Sequence, residues 1–133
     1  MDNRTILQIN PRTKRLLVLE MIDTEKQVFK PRELKNYPDK LVFVIEFSMS
    51  RTSYKHAYFT GGWKGKILKS CMRFDLESEA WDQMPNMKVA RRSHSSCFLA
   101  GFLYVFCGEG ESKRDSYNGT NYLCSIEKLR ILD

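Results

Sequence analysis

The sequence predicts an all-β fold of short antiparallel strands. Short runs rich in β-branched, aromatic and other apolar residues recur along the chain, for example at 41–49 and 102–107. Polar stretches with proline or glycine separate these runs, as is typical of strands joined by turns. No segment shows a sustained helical period of apolar residues. The chain also resembles itself at intervals of about 50 residues, which is typical of stacked β units.

The internal repeat has an acidic marker followed by an aromatic residue. Asp23 precedes Phe29 by six positions, and Asp75 precedes Trp81 by the same interval. The last residues repeat the start of this pattern and stop at Asp133. The marker therefore occurs twice in full and a third time only in its first part.

A second marker is a pair of glycines at the end of a strand-like run. AYFTGG ends on Gly61 and Gly62, and it recurs 46 residues later as LYVFCG, which ends on Cys107 and Gly108. Between the two copies lie Met84, Pro85, Arg91 and His94.

Together these markers resemble the kelch repeat, the unit of one family of β-propellers, in about two and a half copies over most of the chain. The resemblance implies kelch-type blades, each a four-stranded antiparallel sheet that packs face to face on its neighbours. Blades are expected at about 1–30, 41–84 and 94–133, within a single kelch-repeat region that spans 1–133. Function follows only weakly, because propellers carry many unrelated activities.

The repeated positions have physical reasons. The double glycine ends the second strand where neighbouring backbones crowd. The carboxylate of Asp75 is expected to accept backbone N–H groups in a turn, and Trp81 to be largely buried in the gap between blades. Cys107, in the place of a glycine, leaves the tight turn there open to question. The structural motif residues are Gly61, Gly62, Asp75, Trp81, Arg91, His94 and Gly108.

Ten strands are predicted in chain order. They are 4–10, 16–22, 25–29, 41–49, 56–60, 70–76, 80–83, 94–99, 102–107 and 125–132. The segment 31–40 is polar, carries two prolines and is expected to be a loop. The stretch 109–122 is longer than 63–69 and is interpreted as an insertion in one loop.

The strand count predicts an incomplete ring. Groups of three, four and three strands fall short of the roughly four blades of four strands that a closed propeller needs. Three explanations stay open: a fragment of a longer propeller, closure by association with copies of the chain, or an open array. In each case the isolated chain is expected to self-associate or to be unstable, because its terminal blades expose edges.

Length and composition fit one cytoplasmic globular domain. The chain has 133 residues and no apolar run long enough to span a membrane. Its beginning lacks the apolar core of a signal peptide. The four cysteines show neither CxxC nor metal-ligand spacing, so buried thiols in a reducing compartment are expected.

No catalytic, metal or cofactor site is expected. The sequence has two histidines, His56 and His94, and a serine beside a histidine along one strand does not make a catalytic triad. The glycine-rich stretch 61–66 lacks the spacing of a phosphate-binding loop. The alternative to a binding module is an enzyme-like propeller with a small-molecule site in a central channel.

The charge is uneven between the two ends of the predicted strands. The loops 31–40, 63–69, 84–93 and 109–124 sum to +6, whereas the opposite loops 23–26, 51–55 and 75–79 sum to −2. The resemblance implies that the first group carries the partner-binding face. A basic face favours an acidic partner and gives strong salt dependence.

The sequence therefore predicts a non-catalytic interaction module of the kelch type, an adaptor that binds an acidic protein partner. Membrane and nucleic-acid partners are not expected, because no membrane span or recognition motif is present. We expect Arg91 to be tied into the fold and the other basic side chains to be free. The partner-binding residues are Trp63, Lys64, Lys66, Lys88 and Arg92, with Trp63 as an aromatic anchor.

Overall fold

The structure is a computed structural model, and it describes residues 5–52, 55–112 and 121–131. It consists almost entirely of antiparallel strands, with one short 3-10 turn at Asp39–Leu41 among the described residues. The chain divides into two compact units, Met1–Val44 and Ile45–Asp133.

The first unit contains a three-stranded meander. Its strands are β1 (Thr5–Ile9), β2 (Leu16–Asp23) and β3 (Val28–Glu33), in that spatial order. Leu7 of β1 and the alternate residues Leu16 and Val18 of β2 are buried, as one face of a half-buried sheet requires. The outer strand was predicted at 25–29, but residues 24–27 complete a turn after Asp23, and pairing resumes only at Val28.

The second unit begins with a complete four-stranded sheet. Its strands are β4 (Ser48–Arg51), β5 (His56–Thr60), β6 (Cys71–Asp75) and β7 (Trp81–Met84), in that spatial order. Every residue of β5 is buried. This sheet is therefore packed most completely at its centre.

The inner strand of this sheet is shorter than the apolar run predicted it to be. The prediction of a strand over 41–49 is wrong, because Phe43 (φ 67°) and Glu46 (φ 58°) adopt left-handed backbone that interrupts extended structure. Pairing with β5 starts only at Ser48. Ile45 instead forms an isolated bridge with Trp63.

The third sheet has three strands and a small ribbon beside it. The sheet consists of β8 (Ser95–Leu99), β9 (Phe102–Phe106) and, after the ribbon β10 (Glu109–Gly110) and β11 (Asn121–Tyr122), β12 (Ile126–Arg130). The predicted counts of three, four and three strands in the sheets are confirmed, and the ribbon occupies the predicted insertion.

The middle and third sheets share an apolar core. Tyr58 and Cys71 of the middle sheet pack with Leu103 and Ile131 of the third. The inner strands are also joined, because the hydroxyl of Ser96 lies 2.6 Å from those of Ser48 and Ser50. Of the described cysteines only Cys71 is buried, which corrects the expectation that all four are; burial raises the pKa of its thiol to about 12.

The strand pairing shows which residues of the middle sheet and the third sheet are equivalent. Thr60 of β5 faces Cys71, and Phe106 of β9, its counterpart 46 residues on, faces Ile126. The counterpart of Asp75 in the third sheet is therefore Arg130. Asp133, the predicted third copy of the acidic residue, lies outside the described residues.

A candidate protein-interaction face

Backbone hydrogen bonds join the loops at one end of the second unit. The N–H of Gly62 donates to the carbonyl of Arg91 (2.8 Å), and the N–H of Arg91 donates to that of Leu68 (3.1 Å). The N–H of Met87 donates to the carbonyl of Lys69 (2.8 Å). We call this surface, formed by residues 63–69, 85–93 and 109–112, the basic loop face.

Two glycines permit this close approach. A Cβ atom on Gly61 would lie 2.3 Å from the carbonyl oxygen of Arg91, and one on Gly108 would lie 2.6 Å from that of Arg92. Both glycines also have positive φ angles, of 59° and 86°. Cys107 adopts φ 61° in the place of Gly61, so the turn survives the substitution.

Arg91 is fully buried beneath the basic loop face. Its Nη1 donates to the carbonyls of Cys107 (3.0 Å) and Ser125 (2.9 Å), and its Nη2 donates to the hydroxyl of Ser125 (2.8 Å). The guanidinium is also paired with the carboxylate of Glu127 at 3.2 Å. Arg91 therefore ties the loop to the third sheet and is unavailable to a partner.

The carboxylate of Glu127 holds the loop from the other side. It accepts the backbone N–H groups of Lys88 (2.6 Å) and Val89 (3.1 Å) as well as the Arg91 guanidinium. This fixes the backbone of the loop, and the side chain of Lys88 is exposed. Residues 85–90 are thus positioned by a buried charge pair rather than by packing alone.

His94 is a buried neutral residue under the same loops. Its Nε2 lies 2.8 Å from the hydroxyl of Thr60. Burial, together with the nearby charge of Arg91, lowers the pKa of His94 to about 4. A neutral, enclosed imidazole bonded to a threonine acts in the packing of the loops and is poorly placed for acid–base chemistry at neutral pH.

Lysines provide the exposed charge of the basic loop face. Lys64, Lys66, Lys69 and Lys88 are all exposed. Lys69 and Lys88 also line an open cavity of about 340 Å³. Lys69 was not among the predicted partner-binding residues, although its sequence position in a basic loop could have indicated it.

Arg92 is not free, contrary to the sequence-based expectation. Its guanidinium pairs with Glu109 at 3.0 Å and with Glu46 at 3.5 Å. Two antiparallel backbone hydrogen bonds also join Arg92 to Glu109. The prediction failed because Glu46 and Glu109 are distant from Arg92 in sequence and meet it only through the sheet register.

An apolar pair occupies the equivalent position one repeat earlier. Ile45 and Trp63 exchange two backbone hydrogen bonds, as Arg92 and Glu109 do in the next copy. Ile45 is 43% exposed and Trp63 is 37% exposed. Where the next repeat has an ion pair, this copy has a partly exposed aromatic and aliphatic patch. Ile45 was missed because the sequence was interpreted as a continuous strand there.

The opposite end of the middle sheet carries an acidic turn. The Oδ1 of Asp75 accepts the N–H groups of Glu77 and Ser78, both at 2.9 Å, and Asp23 makes the same kind of turn. These bonds, chiefly the one from Ser78, hold the pKa of Asp75 below its usual value. The Nε2 of His56 lies 3.5 Å from the other oxygen of Asp75.

Trp81 is partly buried against its own sheet. Its ring centroid lies 4.8 Å from that of Phe74 and 5.1 Å from that of Phe59. Its expected place in the gap between blades remains a prediction. The loop 31–40 belongs to the first unit, and its place on the partner-binding face likewise remains a prediction.

Two further features are absent from the residues that the structure describes. Among the described residues, no group of three or more histidine, cysteine or acidic side chains could hold a metal ion. Within the same residues, no helix has the length and hydrophobicity needed to cross a membrane.

Comparison with known proteins identifies the repeat. Residues 56–88, from β5 to the loop after β7, match the family described as the Kelch motif. The chain is a kelch-repeat protein. A putative F-box/kelch-repeat protein of Arabidopsis thaliana is 30% identical over 108 residues, which are 81% of the kelch-repeat chain and 27% of that relative.

A solved structure shows the same fold. The structure titled "Structure of YjhT" has a TM-score of 0.67 and 14% sequence identity to the kelch-repeat chain. The match covers 83% of the chain and 33% of that structure. The kelch-repeat chain thus has the fold of a partial propeller and spans about a third or less of the proteins that it matches.

Proposed function

We propose that the chain is a non-catalytic protein-interaction module that binds an acidic segment of a partner protein through the basic loop face. The observation that carries the proposal is the set of backbone hydrogen bonds that gathers the basic loops into one surface. Because the loops are fixed from below by Arg91 and Glu127, the surface is formed before a partner binds. A pre-formed surface loses less conformational entropy on binding.

The lysines supply the attraction for an acidic partner. Lys66, Lys69 and Lys88 are exposed and make no ion pair with another described residue. Lys64 lies in the same loop. Clustered charge of one sign speeds the encounter with an opposite charge and weakens as salt is added.

The apolar pair supplies the anchor. Interface hot spots favour tryptophan, and a partly exposed ring beside charges suits the centre of such a contact. Ile45 extends the apolar area next to Trp63. Arg92 does not act as a free cation. Its pairing with Glu46 and Glu109 shapes the surface instead.

An adaptor role for the longer protein is part of the same proposal. It rests on the name of the Arabidopsis relative, which joins an F-box to kelch repeats, and on the 27% of that relative that the chain spans. An intracellular, cytoplasmic location is proposed with it.

The test reverses charges on the basic loop face and nowhere else. The variant Lys64→Glu/Lys66→Glu/Lys88→Glu is compared with Lys26→Glu/Lys30→Glu/Lys55→Glu, a control with the same change in net charge at exposed positions outside that face. Arg92 is left intact because a glutamate there would face Glu46 and Glu109. Proteins captured from extract by the wild-type chain are identified, purified and titrated against each variant.

The proposal predicts that the first variant loses binding and the control retains it. Raising the salt concentration from about 0.05 to about 0.5 M should weaken the wild-type complex, because the Debye length falls about threefold. Replacing Trp63 by Ala should weaken the complex as well. Binding that is unaffected by the three reversals and by salt would overturn the proposal.

A further inference from the structure

The open cavity beside Lys69 and Lys88 is lined by charges of both signs. Its volume is about 340 Å³, and Glu111 shares its walls with the two lysines. The side chains of Ser112 and Asn121 add a hydroxyl and an amide to the lining. A volume of this size lies at the lower end of the range for ligand clefts, so the cavity suits the ends of two side chains. We call it the mixed-charge cavity.

The three charged side chains of the mixed-charge cavity form no ion pairs within the described part of the chain. Neither the two lysines nor Glu111 are joined to one another or to another described residue in this way, and all three are exposed. The neighbouring cation Arg92 is different, because two carboxylates of the chain already pair with it. The charges of the mixed-charge cavity are therefore available to a ligand.

The backbone fixes where these charges originate. The N–H of Met87 donates to the carbonyl of Lys69 (2.8 Å), and the N–H of the next residue, Lys88, donates to the carboxylate of Glu127 (2.6 Å). The two lysines therefore extend from neighbouring, fixed backbone. Glu111 extends from a different element, because it directly follows the last residue of β10, which pairs with β11. Positive charge thus comes from the loops and negative charge from the ribbon.

The charge complement of this arrangement is a ligand that carries both signs. The two lysines attract a carboxylate, but a uniformly acidic segment would also bring negative charge to Glu111. Like charges that meet in a contact cost affinity and so select against such a ligand. A basic residue of the same segment removes this cost by pairing with Glu111. Side chains two positions apart in an extended segment lie on the same side, so both can enter one cavity.

We infer that the mixed-charge cavity selects a partner segment in which one residue separates an acidic residue from a lysine or arginine. The carboxylate of the segment pairs with Lys69 and Lys88, and its cation pairs with Glu111. The inference rests on the function proposed above, because the segment belongs to the acidic partner. It adds that this segment is not uniformly acidic and that Glu111 determines its selectivity.

Two peptides of identical composition are the main probes. In the first, EEGEGKGEE, one residue separates the lysine from a glutamate on either side. In its isomer, KGGGEEEEE, three glycines separate the lysine from the nearest glutamate. A third peptide, EEGEGEGEE, carries glutamate in place of the lysine. Each has an N-terminal fluorescein and is titrated into the full chain at low salt, and binding is followed by fluorescence anisotropy.

The protein variants change one charge of the cavity at a time. They are Lys69→Gln, Glu111→Gln and Glu111→Lys. The matched controls are Lys26→Gln and Glu25→Gln, which make the same changes at exposed positions of the first unit.

The wild-type chain should bind the first peptide about two- to fivefold more tightly than its isomer, as expected for one exposed ion pair. Glu111→Gln should remove this preference, because no carboxylate then receives the lysine of the peptide. Glu111→Lys should bind the all-glutamate peptide more tightly than the first peptide. Lys69→Gln should weaken the binding of every peptide, because it removes part of their common attraction, and the two controls should match the wild type.

Equal affinity of the wild-type chain for the two isomers would overturn the inference, as would a preference that survives Glu111→Gln. Absence of binding to the first peptide at millimolar concentration would overturn it as well. If the isomers bind equally but the variant Lys64→Glu/Lys66→Glu/Lys88→Glu loses them both, the proposed function stands and only the selectivity assigned to Glu111 is wrong. Peptide binding that those three reversals and added salt leave unchanged would count against the proposed function itself.

Discussion

Replacing Glu127 by Gln should destabilise the second unit by about 3 kcal/mol. The substitution keeps the shape of the side chain but removes the charge opposite Arg91, which is fully buried. Breaking a buried pair from one side costs about 3–5 kcal/mol, because an uncompensated charge remains. We take the lower end because the Glu127 side chain is 17% exposed and the carbonyls of Cys107 and Ser125 still accept from the guanidinium.

Urea unfolding followed by circular dichroism measures this loss. Glu77→Gln, at an exposed position in a turn, is the matched control and should stay within about 0.5 kcal/mol of the wild type. The double variant Arg91→Met/Glu127→Gln should cost less than the sum of the two single changes, because the charges are coupled. A Glu127→Gln variant as stable as the control would refute the view that this pair holds the loops in place.

Three further predictions concern His94, two glycines and Trp81. As the pH falls from about 6.5 to about 4, the free energy of unfolding should fall by up to about 3 kcal/mol. The reason is that the unfolded chain binds a proton at His94, whereas the native state, in which the pKa of His94 is about 4, does not. Urea titrations across this pH range should show a flatter profile of unfolding free energy for His94→Gln. Gly61→Ala should destabilise the fold by more than about 2 kcal/mol, since its Cβ would clash with the carbonyl oxygen of Arg91. Gly65→Ala has a similar positive φ but lies in open space, so it should cost about 1 kcal/mol. Equal shifts in melting temperature for the two variants would exclude crowding as the cause. Trp81→Ala should cost about 3 kcal/mol through loss of its contacts with two aromatic rings, and an unchanged melting temperature would contradict its assigned place in the sheet.

The repeat could be predicted from the sequence because its markers are local. Asp75 accepts hydrogen bonds within three residues of itself, and the double glycine recurs as a short sequence pattern, so these markers alone indicated turns and crowded strand ends. The groups of three, four and three strands followed from the same punctuation. Hydrophobicity by itself was a poorer guide, since the apolar run at 41–49 is interrupted by left-handed residues that its composition does not reveal.

The surface could be predicted only in part. Loop charges indicated which end of the strands is basic, but the sequence did not show that Arg92 forms ion pairs with Glu46 and Glu109. Those contacts depend on the register between sheets, which no local pattern encodes. The correspondence of Arg130 with Asp75 was hidden for the same reason, because the ribbon shifts the spacing of the third copy.

Hydrogen–deuterium exchange on the complex tests the central claim most directly. The wild-type chain is labelled alone and with a purified partner at saturating concentration, and amide protection is compared along the sequence. The proposal predicts that new protection is concentrated in 63–69 and 85–93, the loops of the basic loop face. Protection confined to the acidic turns at 23–26 and 75–79, with those loops unchanged, would contradict it.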